Sequence, residues 1–153
     1  MTRVGIGLGS NLGDRWFALR WAVESLHGPL SSVRVSNAYE SPAWGGPAGG
    51  PPFLNAVLLG STDWSPEGLL AFGKALEHAA GRRRGARWAG RPLDVDLLFY
   101  GDLVRRNPEL TLPHRRRDER PFVLVPWAEL DSTVRLDEHR RAGAEWPLCR
   151  GPL

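Results

Sequence analysis

Apolar and polar residues alternate from Arg3 to Gly9 (RVGIGLG), the period of a strand with two unlike faces. Ser10, Asn11 and Gly13 then turn the chain, and Asp14 is placed to cap a helix. Trp16, Leu19, Ala22, Val23 and Leu26 recur at helical spacing, so this helix is expected to reach His27 and stop at Gly28-Pro29. A second alternating run, 31–40, predicts another strand. Ser41 to Pro52 holds Pro42, Pro47, Pro51, Pro52 and four glycines, a composition unfit for helix or central strand. A loop of that length inside a compact domain is usually functional or disordered. Phe53 to Gly60 reads as a strand whose one polar residue, Asn55, either satisfies backbone or meets a ligand. Ser65 and Pro66 open a second helix, with Leu69, Leu70, Phe72, Leu76 and Ala80 on its buried face and Gly81 at its end. Glu77 would oppose the dipole in the last turn unless Arg82 or Arg84 pairs with it.

After a strand at LDVDLLFY, residues 101–110 predict a turn and short strands. Pro121 opens an apolar helix in which Pro126 implies a kink or two short helices. Beyond Asp131 the chain is charged and unpatterned, and is expected to be loosely held. With 153 residues, no repeat and no linker, one domain (1–153, the tail 132–153 loosely defined) is expected.

The formal charge is only +3, yet the pI is near 9.7, because the cations are arginine apart from Lys74. Cys149 has no partner in the chain, so no disulfide framework is possible, as befits a reducing compartment. The glycine-broken N-terminus does not make a secretory core, and no apolar run approaches a membrane span. A monomer in the cytoplasm with no membrane partner is the expectation.

The candidate chemistry lies at 81–96, GRRRGARWAGRPLDVD. Arg82, Arg83, Arg84, Arg87 and Arg91 crowd a segment broken by glycine and proline, and each planar guanidinium can grip phosphate oxygens bidentately. Asp94 and Asp96, at i and i+2 on a strand, point to one face roughly 7 Å apart. Such carboxylates suit Mg²⁺, which completes its octahedron with phosphate oxygens and water. Carboxylates on a strand behind a cationic loop are what phosphoryl-type transfer needs, since that catalysis is positioning plus charge neutralisation. The glycine pattern near the N-terminus lacks the spacing and downstream acid of a dinucleotide loop.

The chain as a whole resembles the 6-hydroxymethyl-7,8-dihydropterin pyrophosphokinases. The matching pieces are GSNLGD at 9–14, SP at 41–42 with FLNA at 53–56, GRRRGARW at 81–88, RPLDVDLL at 91–98, and LPH at 112–114 followed by Arg120, Phe122, Leu124 and Pro126. The resemblance implies a ferredoxin-like α+β sandwich with a mainly antiparallel sheet and mobile active-site loops. It implies transfer of the β,γ-pyrophosphoryl unit of ATP, the co-substrate, to the hydroxymethyl oxygen of the pterin, with release of AMP. By position, Asp94 and Asp96 match the carboxylates that hold two Mg²⁺ ions, and Arg82 and Arg91 the arginines tied to catalysis. Arg84, Trp88, Thr111, His114 and Arg120 match groups around the nucleotide, a set that also takes in Lys74, Glu77 and Leu110. Phe53 and Phe122 match an aromatic pair that sandwiches the pterin, Asn55 the reader of its ring edge, and Ser41, Pro42 and Trp44 the backbone on its amide side. The chain departs from the pattern in a shorter Arg loop, in AGRP before the carboxylates and in the Gly/Pro-rich run at 45–52.

Two rival readings use the same residues. A nucleotidyltransferase of another fold would use Gly9-Ser10 with Asp94-x-Asp96, but usually keeps those parts a dozen or so residues apart. A single-stranded nucleic-acid binder would use the arginines with Trp44 and Trp88, and leaves the acidic pair unexplained. No nucleic-acid partner is therefore expected.

Overall fold

The computed structural model describes residues 1–42, 50–81, 90–114, 121–136 and 146–153. Its main sheet is built from β1 (Thr2–Ser10), β2 (Ser31–Val35), β3 (Ala38–Ser41), β4 (Phe53–Thr62), β5 (Asp94–Tyr100) and a C-terminal strand, β8 (Leu148–Gly151). The order is β5-β1-β4-β3-β8, with β2 also on β4, and every pairing is antiparallel. Helices α1 (Arg15–Leu26) and α2 (Pro66–Ala79) follow β1 and β4, giving the βαββαβ succession of the ferredoxin-like fold with its second strand divided into β2 and β3, both paired with β4. A small hairpin, β6 (Arg105–Arg106) with β7 (Thr111–Leu112), precedes α3 (Pro121–Leu130).

The alternation at the N-terminus becomes two different faces. Val4, Ile6 and Leu8 pack with Leu54, Ala56 and Leu58 of β4 against Leu19, Ala22 and Leu26 of α1 and Leu69 and Leu76 of α2. On the opposite face Val57, Leu59 and Leu98 meet Val123 and Trp127 of α3, and Phe99 stacks on Trp127 at 5.4 Å. A register shift at Gly5/Ile6 puts both Leu98 and Phe99 on this α3 face. Here β1 offers Arg3 and then Gly5, Gly7 and Gly9. A Cβ on Gly5 would lie 2.4 Å from the Phe99 ring, so that glycine is room the ring occupies, whereas one on Gly7 would make ordinary contact with Leu98 at 3.4 Å.

The predicted caps are in place: Asp14 accepts the Phe17 N–H and Ser65 the Gly68 N–H. The run 31–40 is two strands rather than one. Ser36 breaks it by exchanging hydrogen bonds with Val57 through its own N–H and its Oγ, each 2.9 Å. Helix α3 runs from Pro121 to Leu130 without division at Pro126, which is buried. Pro126 stands one turn after Phe122, so the helical bond it removes is among the first of the helix, where disruption costs least. The strand β8 had no sequence signal. Among the described residues no helix is long and apolar enough to cross a membrane.

Candidate active site

One rung of the sheet organises the site. In register, Tyr39 of β3 lies opposite Asn55 of β4, Asn55 opposite Gly9 of β1, and Gly9 opposite Asp94 of β5. Asn55 and Asp94 thus flank a side-chainless strand, about 10 Å apart across two strand spacings. Asp96 stands opposite Gly7 on the next rung of the same face. The predicted same-face carboxylates and the polar residue of β4 therefore share one surface, the one α3 partly covers.

On the acidic side, Arg91 Nη1 donates to both Asp94 oxygens, at 3.1 and 3.3 Å. His114 Nε2 is 3.9 Å from Asp96 Oδ1, and its backbone N–H donates to Leu98 O at 2.8 Å, which fixes the LPH segment to β5. Glu77 is placed by α2 to accept the Val95 N–H at 2.9 Å. Since β5 is an edge strand, this bond satisfies an outward donor between the two aspartates and holds their spacing. Oxygen donors on one face beside bare glycine are the chemistry that a hard cation shared with phosphate requires. Among the described residues no group of three or more His, Cys, Asp or Glu side chains could cage a metal by itself. Lys74 is exposed on α2. Thr111 Oγ1 donates to Asn107 O at 3.2 Å, and Leu110 is a core residue whose backbone N–H and carbonyl both bond to Asn107.

The other side is built around Asn55, which is buried. Its Nδ2 donates to Ser41 Oγ at 2.9 Å, and its Oδ1 lies 3.2 Å from where a Gly9 Cβ would stand. Both open readings of Asn55 thus have a basis, since its Nδ2 also reaches the Tyr39 carbonyl at 3.5 Å while its Oδ1 faces the gap over Gly9. Phe53 lies on the same face two residues earlier, 3.5 Å from that Cβ position. Ser41 is buried and pairs with Phe53 in register, while Pro42 is exposed. Phe122 comes from the first turn of α3 and packs against the Val57, Leu59 and Leu98 cluster. The far end of α3 is pinned to β3: Glu129 accepts Tyr39 Oη at 2.7 Å and the Asn37 N–H at 2.9 Å. Burial, and then the Glu129 carboxylate, push the Tyr39 pKa up, so the hydroxyl remains a donor.

Asn11 joins the two sides, a role that its place in a turn did not reveal. Its Nδ2 donates to Pro51 O at 3.2 Å, its Oδ1 accepts the Arg91 N–H at 2.6 Å, and its N–H donates to Arg91 O at 3.0 Å. The ends of both candidate loops are thereby tied to one residue. Trp44, Arg82, Arg84, Trp88 and Arg120 lie outside the described residues.

A family profile for 7,8-dihydro-6-hydroxymethylpterin-pyrophosphokinase matches residues 5–132. The chain belongs to this family. A Mycobacterium tuberculosis (strain CDC 1551 / Oshkosh) protein named 2-amino-4-hydroxy-6-hydroxymethyldihydropteridine pyrophosphokinase is 40% identical over 160 residues, covering 98% of this chain and 82% of that one. A Methylorubrum extorquens protein of the same name is 43% identical over 133 residues, covering 85% and 83%. Both relatives are matched over about four-fifths of their length. A crystal structure of Plasmodium falciparum HPPK-DHPS with SDX-DHP superposes with a TM-score of 0.61 at 13% identity, over 85% of this chain and 40% of that one. That likeness concerns the fold, and it agrees with the antiparallel α+β sandwich seen here.

Proposed function

We infer that this chain, as one domain, transfers the pyrophosphoryl unit of ATP to 6-hydroxymethyl-7,8-dihydropterin, yielding the pterin diphosphate and AMP in folate synthesis. Family membership over residues 5–132 fixes the reaction class. The observation that carries its geometry is the rung on which Asn55 and Asp94 flank Gly9. A heterocycle read by Asn55 would direct its hydroxymethyl arm across bare glycine toward the carboxylates. The alcohol oxygen bonds to the β-phosphorus, the bond from that phosphorus to the α-phosphate oxygen breaks, AMP leaves, and the alcohol gives up its proton.

Asp94 and Asp96 are the residues that would hold Mg²⁺. Bound there with ATP, the ions would supply charge neutralisation on the phosphate oxygens. Arg91 Nη1 pairs with Asp94, and a cation held by that carboxylate would leave the guanidinium to phosphate. Arg82, Arg84, Trp88 and Arg120 are assigned to the nucleotide from their positions in the motifs, as are Lys74, Glu77, Leu110, Thr111 and His114. Ser41, Pro42, Trp44, Phe53, Asn55 and Phe122 are assigned to the pterin. We place the enzyme in the cytoplasm as a monomer acting on diffusible substrates, without nucleic-acid or membrane partners. The deciding experiment measures AMP release from MgATP with and without hydroxymethyl-dihydropterin. Release that ignores the pterin would sink the reading.

Two effects follow from this arrangement. Phe122→Ala should weaken pterin binding by about 1–3 kcal/mol through lost stacking, with ATP binding little changed. Calorimetry checks it, and a variant that melts earlier yet binds pterin normally would make Phe122 ordinary packing for Val57 and Leu98. The second concerns Asn11. Because one side chain holds both Pro51 and Arg91, a non-hydrolysable MgATP analogue should tighten pterin binding about 5–100-fold, and pterin should tighten the analogue equally. Asn11→Ala should shrink that factor. Equal pterin affinity with and without the analogue in the wild type would show that the halves are independent.

A further inference from the structure

Resting on the pterin-transfer reading, we propose that Arg15, paired with Glu40, is a positioning residue for the pterin half of the site. Arg15 is the first residue of α1. A cation there opposes the positive end of the helix dipole, so the helix itself gains nothing from it. Its contacts lie elsewhere. Nη1 donates to Pro52 O at 3.1 Å, and Nη2 pairs with Glu40 Oε2 at 2.9 Å. Glu40 is the last residue before Ser41 and Pro52 the last before Phe53, and Ser41 and Phe53 are register partners. One guanidinium therefore grips the backbone just outside the Ser41–Phe53 rung at Pro52 and, through Glu40, the rung between that one and Asn55. Both side chains of the pair are about three-quarters covered, at 25% and 22% exposure, where an ion pair is screened less than on an open surface.

The same carboxylate engages the C-terminal strand. Glu40 lies opposite Leu148 in register, and Arg150 Nη2 is 3.6 Å from its Oε1. The clamp thus links the start of α1, the next-to-last residue of β3 and β8, which lies beyond the family match. Only the planar fork of arginine can serve a carbonyl and a carboxylate in different directions while staying rigid; a lysine ammonium holds one and leaves the other. The clamp's bonds run to Pro52, Glu40 and Arg150, on the Asn55 side of β1. Its loss should therefore act on the pterin and spare the nucleotide.

The test is steady-state kinetics on the full chain, with pterin varied at saturating MgATP and then the reverse, alongside thermal melting. Arg15→Ala should raise the pterin KM about tenfold, keep the ATP KM within about twofold, and change kcat less than the pterin KM. Arg15→Lys should recover part of the pterin KM. An unchanged pterin KM, or pterin and ATP KM rising together with a lowered Tm, would overturn the proposal in favour of a general structural role. Should Arg15→Ala fail to fold, Glu40→Gln keeps the shape and removes the charge, and an unchanged pterin KM in that variant overturns it equally. Wild-type protein without pterin-dependent AMP release overturns the parent reading and this one together, whereas an active wild type with an indifferent Arg15→Ala overturns only this one.

Discussion

Alanine at Asp94 or at Asp96 is expected to lower turnover by about three orders of magnitude or more, about 4 kcal/mol of transition-state stabilisation. The triphosphate carries about four negative charges, and an alcohol cannot approach phosphorus until they are neutralised. Both carboxylates share one face of β5, with Gly9 and Gly7 as their neighbours on β1, so no other side chain of that strand can substitute for them. The fold should suffer less than the chemistry. Asp96 is 43% exposed, so its loss should matter least to the fold; Asp94 is 16% exposed, and its removal, which leaves Arg91 at 42% exposure to turn to water, should cost the fold more. Exposed pairs contribute about 1 kcal/mol or less to stability. A direct check is MgATP-analogue binding titrated with Mg²⁺ beside single-turnover rates. If both variants keep near-normal turnover at saturating Mg²⁺, the metal assignment is wrong.

The carboxylate pair was legible because it depends on one short segment. The i, i+2 spacing fixes the shared face once the segment is a strand, and its alternating apolar residues say that it is. The caps at Asp14 and Ser65 were legible for the same local reason. What was hidden depends on partners far along the chain. Asn11 meets Arg91 across 80 residues and Pro51 across 40, and Arg15 meets Pro52 across 37. Nothing near any of them specifies the match. The strand β8 is mostly exposed and shows no alternation, and it becomes a strand because β3 offers an unpaired edge. The glycines of β1 were visible as glycines, but their use required knowing that Phe99, Leu98, Asn55 and Phe53 stand over them. The family motifs bridged part of this gap, since GSN, FLNA and LDVD are the strand segments that meet on adjoining rungs.

Asn55→Ala is expected to lower kcat/KM for the pterin by about two to three orders of magnitude while sparing ATP affinity. A site that hydrogen-bonds the rim of a polar heterocycle discriminates strongly when a fixed partner is lost, because the ligand's own donors and acceptors are then buried without one. The loss is compounded at Ser41, whose Oγ accepts Asn55 Nδ2 at 2.9 Å in a buried setting. The variant should therefore also lose about 1–3 kcal/mol of stability, and melting alone cannot separate the two roles. The separation comes from Ser41→Ala, which removes the internal bond but leaves the amide of Asn55 in place. If Asn55 serves the pterin, Ser41→Ala should keep most of the pterin kcat/KM at a similar stability loss. Equal kinetic damage in both variants would make Asn55 a structural amide, and the reading of the pterin edge would have to move to the backbone at Ser41 and Pro42.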